Sequence, residues 1–414
     1  MKKLSIQISA GILIVFCTVL SVTAQSTDYS RPVPFKIDIP KSKIDYIKNR
    51  VENANWAGRI GDGGWGYGMS YDYLKELKDY WVQDYDWKKE EKKLNEFPQF
   101  KVQIEGFDIH YYYEKGSGTN PQPVIFTHGW PGSVFEFVHA IDRLAHPEKY
   151  GGNAEDGLDV IVPSLPGFGF SSKPTKSPVG PVTTARLWNT LMTKVLGYES
   201  YGAQGGDLGC IVTTYLAYNH ADHVKAIHLN LVPSSPKPEN KMTQQEKEWA
   251  KEAQAFISRE LDYFALQANK PQTPSFALID SPLGTAAWII SKFKAWSDSG
   301  DDIESAFTKD QLLTNAMIYI VNDNIDSSIW FYRGFATETK GKMHPGEKIK
   351  VPTAVALFPA DMVNGRPPKT WIEGDYNLVR YTAMSSGGHF ACLEEPEEFT
   401  KDVLAYFNEI LMKK

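Results

Sequence analysis

The stretch Gly205-Gly206-Asp207-Leu208-Gly209 has the spacing of a nucleophile elbow, Gly-x-nucleophile-x-Gly. The flanking glycines allow a sharp turn from a strand into a helix, which exposes the central side chain above a sheet. Serine usually occupies the centre, but here the residue is Asp207. A carboxylate can attack a saturated carbon and form an ester with the substrate. Asp207 in place of the usual Ser therefore predicts alkyl transfer and disfavours an esterase.

The segments around this stretch predict a strand, a turn and a helix in the required order. Residues 201–204 predict a strand after the helical segment 185–195, and residues 210–216 predict a buried helix. Upstream, the apolar strand 123–127 ends in the turn His-Gly-Trp-Pro-Gly-Ser at 128–133.

This upstream turn is rich in Gly and Pro and can aim backbone N–H groups at one point. The N–H groups of Trp130 and Leu208 are therefore the candidates for an oxyanion hole. Pro131 has no N–H group and stiffens the turn. We interpret His128 as a residue that orders the loop and not as a catalyst.

Two downstream segments complete a nucleophile–acid–histidine order. The apolar strand that begins at residue 351 ends in Asp361, and a later Gly-Gly turn leads to His389. The order Asp207, Asp361, His389 is the order of an α/β-hydrolase triad. Glu373 and Asp375 are weaker candidates for the acid, because they lie outside the strand-end position.

The chain-wide pattern predicts an α/β fold: an α/β-hydrolase core with a helical cap and an N-terminal helical meander. Strands alternate with helices over 101–235 and again over 346–414, which predicts a doubly wound sheet built from both segments. Residues 236–345 interrupt this pattern with helical, aromatic-rich sequence and form the predicted cap. Residues 31–100 contain the predicted meander, in which apolar residues recur at helical spacing.

These motifs together resemble the microsomal-type epoxide hydrolases, which include the juvenile-hormone epoxide hydrolases. The resemblance covers nearly all of the chain after the N-terminal apolar segment, and 31–100 resembles the family's N-terminal extension. It implies that this extension wraps around the core and braces the cap. The motifs that carry the resemblance are His128-Gly129-Trp130-Pro131-Gly132-Ser133, Pro163-Ser164-Leu165-Pro166-Gly167-Phe168-Gly169-Phe170-Ser171, Gln204-Gly205-Gly206-Asp207 and Gly387-Gly388-His389-Phe390.

The resemblance also assigns roles that the residues alone do not. Tyr263 and Tyr332 match the family's two cap tyrosines, which donate hydrogen bonds to the epoxide oxygen. Asp207 then forms a hydroxyalkyl ester, and His389, oriented by Asp361, activates the water that hydrolyses it to a vicinal diol. The resemblance implies no metal and no organic cofactor.

Two positions depart from the family pattern. Leu208 stands where many relatives have Trp, which changes the wall of the pocket. Asp361 is shorter than the Glu of some relatives, although either carboxylate can orient a histidine.

Two other functions remain open from the residues. A haloalkane dehalogenase also uses an elbow Asp, but it often carries a Trp beside the nucleophile, where this chain has Leu208. A non-catalytic binding protein on a hydrolase scaffold is disfavoured by the complete Asp–Asp–His set.

Composition restricts the partners and the compartment. The formal net charge of −6 gives no indication of nucleic-acid binding, and the aromatic-rich cap favours a small lipophilic epoxide.

Two lysines precede an apolar run at 8–22, which ends in Val-Thr-Ala. This pattern predicts a signal peptide over 1–24 and export to the periplasm or the medium, with an uncleaved membrane anchor as the alternative. Cys210 and Cys392 are expected to be buried free thiols.

Overall fold

The computed structural model describes residues 29–361 and 365–411. The predicted signal peptide, 1–24, lies outside the described residues. Among the described residues, no helix has the length and apolar character needed to cross a membrane.

A single mixed sheet forms the centre of the described fold, with the strand order β1-β2-β3-β5-β4-β6-β7-β8-β9. Strands β1, β2 and β3 run antiparallel to their neighbours, whereas the pairs from β5 through β4 to β9 are parallel. The strands are β1 (Val33–Phe35), β2 (Gln99–Ile104), β3 (Phe107–Glu114), β4 (Pro123–Thr127), β5 (Asp159–Pro163), β6 (Tyr201–Gly205), β7 (Val224–Leu229), β8 (Ile349–Leu357) and β9 (Tyr376–Ala383).

Helices cover both faces of this sheet and form a separate layer above it. The helices are α1 (Lys41–Glu52), α2 (Tyr71–Gln83), α3 (Trp87–Leu94), α4 (Phe135–Ala145), α5 (Pro181–Thr190), α6 (Leu208–Asn219), α7 (Gln244–Glu260), α8 (Asp262–Asn269), α9 (Gln272–Asp280), α10 (Pro282–Trp296), α11 (Lys309–Val321), α12 (Ile325–Glu338), α13 (Lys369–Asp375), α14 (Ala391–Glu394) and α15 (Pro396–Leu411). The layer from α7 to α12 occupies the segment predicted as the cap.

The central parallel strands are fully buried because helices cover both of their faces. Every residue of β4, β5 and β6 is buried, as expected for parallel strands between two helical layers. Helix α6 is also buried from Leu208 through Ala217, so it lacks the polar face of a surface helix. The α/β-hydrolase architecture predicted from the sequence is confirmed.

The hairpin of β2 and β3 and the cap of α2 follow local sequence signals. Glu105 and Gly106 connect β2 to β3, and both have positive φ angles, 51° and 86°, as a two-residue turn requires. The Ser70 hydroxyl accepts a hydrogen bond from the Tyr73 N–H and caps α2.

The N-terminal segment contains one strand that the sequence pattern did not predict. Val33–Phe35 pairs with β2 at the edge of the sheet. Three residues are too few to show a period of two, and Pro34 is compatible only with an edge position. Tertiary pairing therefore defines β1.

Helices α1, α2 and α3 pack against the cap helices α10 and α11. Polar contacts join the two layers: the Tyr80 hydroxyl donates to Asp310 Oδ1 at 2.7 Å, and the Tyr85 hydroxyl lies 3.1 Å from Thr314 Oγ1. Lys43 forms an ion pair with Asp323 at 2.7 Å. The extension thus contacts the cap directly.

Candidate active site

Asp207 lies at a strained turn between β6 and α6. Its φ of 48° and ψ of −127° lie outside the regions that non-glycine residues normally occupy. A side chain at Gly205 would collide with the carbonyl group of Gly209, and one at Gly209 would collide with the carbonyl oxygen of Thr127. Both glycines are therefore required for the close approach of β6, α6 and β4 that forms the elbow.

The turn after β4 supplies a hydrogen-bond donor to this carboxylate. The Trp130 N–H donates to Asp207 Oδ1 at 2.8 Å. Leu208 is the first residue of α6, where N–H groups have no partner within the helix. The structure thus places both predicted oxyanion-hole residues next to Asp207, and the Trp130 N–H contacts the oxygen on which negative charge would develop.

His128 orders the turn and is not part of the catalytic set. Its ring is buried, Nδ1 lies 3.0 Å from the Gly129 carbonyl oxygen, and Nε2 accepts a hydrogen bond from the Leu165 N–H at 3.1 Å. Burial lowers the pKa of His128 to about 4, which keeps the ring neutral. This agrees with its interpretation from the sequence.

His389 lies between two carboxylates. Its Nε2 is 3.2 Å from Asp207 Oδ2, and its Nδ1 is 3.1 Å from Asp361 Oδ1. The His389 N–H donates to the Trp296 carbonyl oxygen at 2.8 Å, which fixes the loop against the cap. Asp375, by contrast, accepts a hydrogen bond from the Ser235 N–H at 2.6 Å. Asp361 is therefore the carboxylate that can orient the imidazole.

The charge state of His389 depends on these two neighbours. Burial by itself would lower its pKa, but the charge and hydrogen bond of Asp361 and the charge of Asp207 outweigh burial and hold the pKa well above its ordinary value. The imidazole is therefore protonated while Asp207 is ionised. Loss of the Asp207 charge should lower this pKa toward the range in which histidine acts as a base.

Removal of the Asp207 charge should lower the pKa of His389 in a measurable way. We expect Asp207→Asn to shift the imidazole titration to lower pH, because one of the two carboxylates that raise the pKa becomes neutral. An NMR titration of the His389 ring measures the shift, with mass analysis to confirm that the introduced amide has not been hydrolysed back to the carboxylate. Asp375→Asn removes a carboxylate away from His389 and should leave the titration unchanged. An equal pKa in Asp207→Asn and the wild type would contradict the coupling.

The two predicted tyrosines lie together in the cap above the nucleophile. Tyr263 is in α8 and Tyr332 is in α12, and their rings are perpendicular with centroids 5.9 Å apart. The two hydroxyl groups interact, yet the buried Tyr332 hydroxyl makes no hydrogen bond of normal geometry with the described residues. Burial raises the pKa of both hydroxyls well above the ordinary value, so both remain proton donors at neutral pH.

A cavity of about 190 Å³ joins the nucleophile to these tyrosines. Its polar groups are those of Asp207, Tyr263 and Tyr332, and the rest of its wall is mainly apolar. The other lining residues are Leu208, Ile211, Leu231, Leu261, Phe264, Phe335, Gly341 and Met343. The site therefore offers a carboxylate and two hydroxyl donors in an otherwise apolar pocket.

The sequence did not indicate two further residues beside this site. The Trp296 ring packs against Tyr263 and His389, with centroid distances of 5.4 Å and 5.1 Å. Glu136 lines a second cavity that Asp207 and His389 also line. The one available signal for Glu136 was a carboxylate within the apolar segment 134–138.

The described part of the chain contains no candidate metal cluster and no disulfide bond. Within residues 29–361 and 365–411, no cluster of three or more His, Cys, Asp or Glu could hold a metal ion. Cys210 and Cys392 are buried and free, as predicted.

Comparison with known proteins identifies the family. The sequence model described as "Epoxide hydrolase N terminus" matches residues 32–137, and that of the alpha/beta hydrolase fold matches residues 122–278. A putative epoxide hydrolase of Stigmatella aurantiaca is 39% identical over 92% of this chain and 86% of its own length. The chain belongs to the epoxide hydrolases. The family predicted from the sequence is thus confirmed.

Mammalian and insect relatives share this similarity over more than nine-tenths of the chain. Epoxide hydrolase 1 of Oryctolagus cuniculus is 34% identical to this epoxide hydrolase over 91% of the chain and 90% of its own length. The crystal structure of juvenile hormone epoxide hydrolase from Bombyx mori superposes with a TM-score of 0.84 at 29% identity, covering 94% of this chain and 96% of that one.

Proposed function

We propose that this epoxide hydrolase opens small lipophilic epoxides to vicinal diols through an ester of Asp207. The observation that carries the proposal is the 190 Å³ cavity, which is lined by the nucleophile, two tyrosine hydroxyls and apolar side chains. Pockets for drug-sized ligands occupy about 300–1,000 Å³. The smaller volume favours compact epoxides, and the apolar wall favours hydrocarbon substituents.

In the first step, Asp207 attacks one epoxide carbon and its C–O bond breaks. The Trp130 N–H holds Oδ1, so Oδ2, which lies 3.2 Å from His389 Nε2, is the attacking oxygen. Tyr332 and Tyr263 donate hydrogen bonds to the epoxide oxygen, and one of them transfers its proton to the alkoxide. The products of this step are a hydroxyalkyl ester of Asp207 and a tyrosinate.

In the second step, water attacks the ester carbonyl carbon. The negative charge of Asp207 is absent from the ester, so the pKa of His389 falls and the imidazole gives up its proton, which restores the tyrosine. The neutral imidazole, oriented by Asp361, then accepts a proton from the water. The N–H groups of Trp130 and Leu208 stabilise the oxyanion. The intermediate expels the diol oxygen, which takes the proton from His389. The second proton of the water passes from the regenerated Asp207 carboxyl group to His389, which restores the resting charges, so one epoxide and one water give one diol.

The tyrosines should contribute to the first step only. We expect Tyr332→Phe to slow ester formation by about 10²-fold, because one donor to the developing alkoxide is lost while Tyr263 remains. Stopped-flow measurement of the single-turnover rate constant checks this. Tyr319→Phe is the matched control, since the Tyr319 hydroxyl is already committed to the Gly132 carbonyl oxygen. A Tyr332→Phe variant that forms the ester at the wild-type rate would contradict the role.

Two measurements test the reaction itself. Purified enzyme is assayed for diol formation with a panel of aliphatic and aryl epoxides of increasing size, and for chloride release from chloroalkanes. A single turnover in heavy-oxygen water should label the Asp207 carboxylate and leave the first diol unlabelled. Direct label in the diol would contradict the ester mechanism, and chloride release without diol formation would favour a dehalogenase.

The N-terminal sequence supports a site of action outside the cytoplasm. Two lysines, the apolar run 8–22 and the Val-Thr-Ala end match a cleaved signal peptide. In that location the enzyme would meet environmental epoxides before they reach cytoplasmic nucleophiles. N-terminal sequencing of protein from the native host tests this: a chain that begins at Gln25 supports export, and a membrane-bound chain that retains 8–22 favours the anchor.

A further inference from the structure

A second and much smaller cavity lies beside Asp207, apart from the substrate cavity. Asp207 is the residue that lines both of them. The small cavity has a volume of about 20 Å³, which is enough for one water molecule. The tyrosines do not line it, whereas His389 does. Its polar side chains belong to Thr127, Glu136, Gln204, Asp207, Asn230, His389 and Cys392.

Glu136 brings a carboxyl group into this cavity from the first turn of α4. Its Oε1 lies against Gly132, where any side chain would collide with it. Backbone groups of Gly129 and Ser133 hydrogen-bond to the carboxyl group. Gly132 therefore leaves the space that lets this carboxyl group reach toward the nucleophile.

The groups that face Glu136 come from four different parts of the fold. Asp207 and His389 are its charged neighbours, and Tyr319 and Cys392 also interact with it electrostatically. Burial, together with the Asp207 charge, raises the pKa of Glu136 to about 8, although His389 and the backbone hydrogen bonds act in the opposite direction. Near neutral pH the carboxyl group can therefore both donate and accept hydrogen bonds.

Polar atoms around the cavity lack partners that a water molecule would supply. The buried Gln204 Oε1 has no hydrogen-bond partner among the described residues, since the Gln204 amide nitrogen donates to Asn230 Oδ1. The Nε2 of His389 is close to Asp207 but makes no hydrogen bond of good geometry. Stable buried waters make two to four hydrogen bonds to polar groups. The polar atoms around this cavity offer a water molecule that number of contacts.

We propose that Glu136 is a further catalytic residue, which binds the water that hydrolyses the Asp207 ester and holds it between the ester carbonyl carbon and His389. The proposal rests on the two-step function proposed above. One O–H of the water faces His389 Nε2, which takes that proton as the oxygen attacks. The other O–H is held by Glu136, so the carboxyl group acts in ester hydrolysis and has no part in epoxide opening.

The two steps respond separately in steady-state kinetics. For a two-step enzyme limited by ester hydrolysis, kcat reports hydrolysis and kcat/KM reports ester formation. We expect Glu136→Gln to lower kcat by about 10²-fold, to lower KM in parallel and to leave kcat/KM unchanged. Intact-mass analysis should show the ester accumulating during turnover.

Glu394→Gln is the matched control. Glu394 is also buried, burial raises its pKa to about 7, and its carboxyl group accepts hydrogen bonds from the Asp298 and Phe390 N–H groups. It does not line the small cavity. Its carboxyl group interacts electrostatically with His389 and Asp361 but does not face the proposed water. Any selective loss of kcat in Glu394→Gln should therefore be far smaller than in Glu136→Gln, and an equal loss would show that charge near His389, and not water binding, sets the rate of hydrolysis.

The kinetic results distinguish a role of Glu136 in ester hydrolysis from a general effect on the enzyme. A Glu136→Gln enzyme in which kcat and kcat/KM fall by the same factor, or which hydrolyses its ester at the wild-type rate, would overturn the proposal. If this variant fails to fold, as judged by circular dichroism, Glu136→Asp draws the carboxyl group back by one methylene and should give the same selective loss in kcat. Wild-type enzyme that labels the diol directly in heavy-oxygen water would overturn the ester mechanism and the Glu136 role with it.

Discussion

Replacement of Asp207 by alanine should abolish diol formation while the fold is retained. The loss in kcat should be on the order of 10⁵-fold or more, because the ester cannot form without the carboxylate and no other described carboxylate lies in the substrate cavity. Diol analysis by chromatography measures the loss, and circular dichroism confirms the fold. A folded Asp207→Ala protein with substantial turnover would refute the role of the nucleophile.

Two substitutions of Asp207 separate the backbone strain of the elbow from the catalytic role of the carboxylate. Asp207→Gly and Asp207→Ala both remove the carboxylate, but only glycine adopts a φ of 48° and a ψ of −127° without steric cost. We expect Asp207→Gly to have a free energy of unfolding about 1 kcal/mol above that of Asp207→Ala, after allowance for the extra entropy of unfolded glycine. Urea unfolding of the two inactive variants measures the difference. Equal stabilities would show that the elbow stores no strain at this residue.

Replacement of His389 by glutamine should trap the covalent intermediate. Asp207 and the tyrosines remain, so the epoxide is still opened, but no imidazole is available to activate water. Ester hydrolysis should slow by about 10³-fold. Intact-mass analysis after brief incubation should show the protein with one added epoxide, and peptide mapping should place it on Asp207.

The matched control for this trap is the double variant Asp207→Ala, His389→Gln, which should show no adduct. An adduct in the double variant would locate the nucleophile elsewhere. Absence of an adduct in His389→Gln, alongside an active wild type, would contradict the assignment of His389 to the second step.

The geometry explains how one carboxylate serves both steps. Asp207 Oδ1 is held by the Trp130 N–H, while Oδ2 lies 3.2 Å from the imidazole. In the resting enzyme the protonated His389 stabilises the ionised nucleophile. When the ester forms, that charge is lost and the imidazole becomes a base. The two cavities that meet at Asp207 separate the epoxide from the proposed hydrolytic water.

Local sequence signals were sufficient for the elbow, the hairpin and the core strands. The Gly-x-Asp-x-Gly spacing, the turn at Glu105 and Gly106, and the apolar runs of β4 and β5 each depend on neighbouring residues. Steric demand at a glycine and burial of a short strand act over a few residues. For this reason the sequence pattern alone predicted the α/β-hydrolase class and the nucleophile.

The choice of tyrosines and of the acid needed more than local pattern. The chain has 21 tyrosines, and only the family resemblance singled out Tyr263 and Tyr332 before the structure placed them in one cavity. Strand-end position favoured Asp361 over Asp375, and the 3.1 Å contact with His389 supports that choice.

The sequence by itself determined the nucleophile, a carboxylate that a glycine elbow presents in an α/β core. The tertiary structure decided what surrounds that carboxylate: the strand β1, the packing of Trp296, the size of the substrate cavity and the approach of Glu136 over Gly132. These features join segments far apart in the chain, and their distances follow from how helices and sheet pack together. A periodic pattern records which face of an element is buried, but it does not record which side chains meet there.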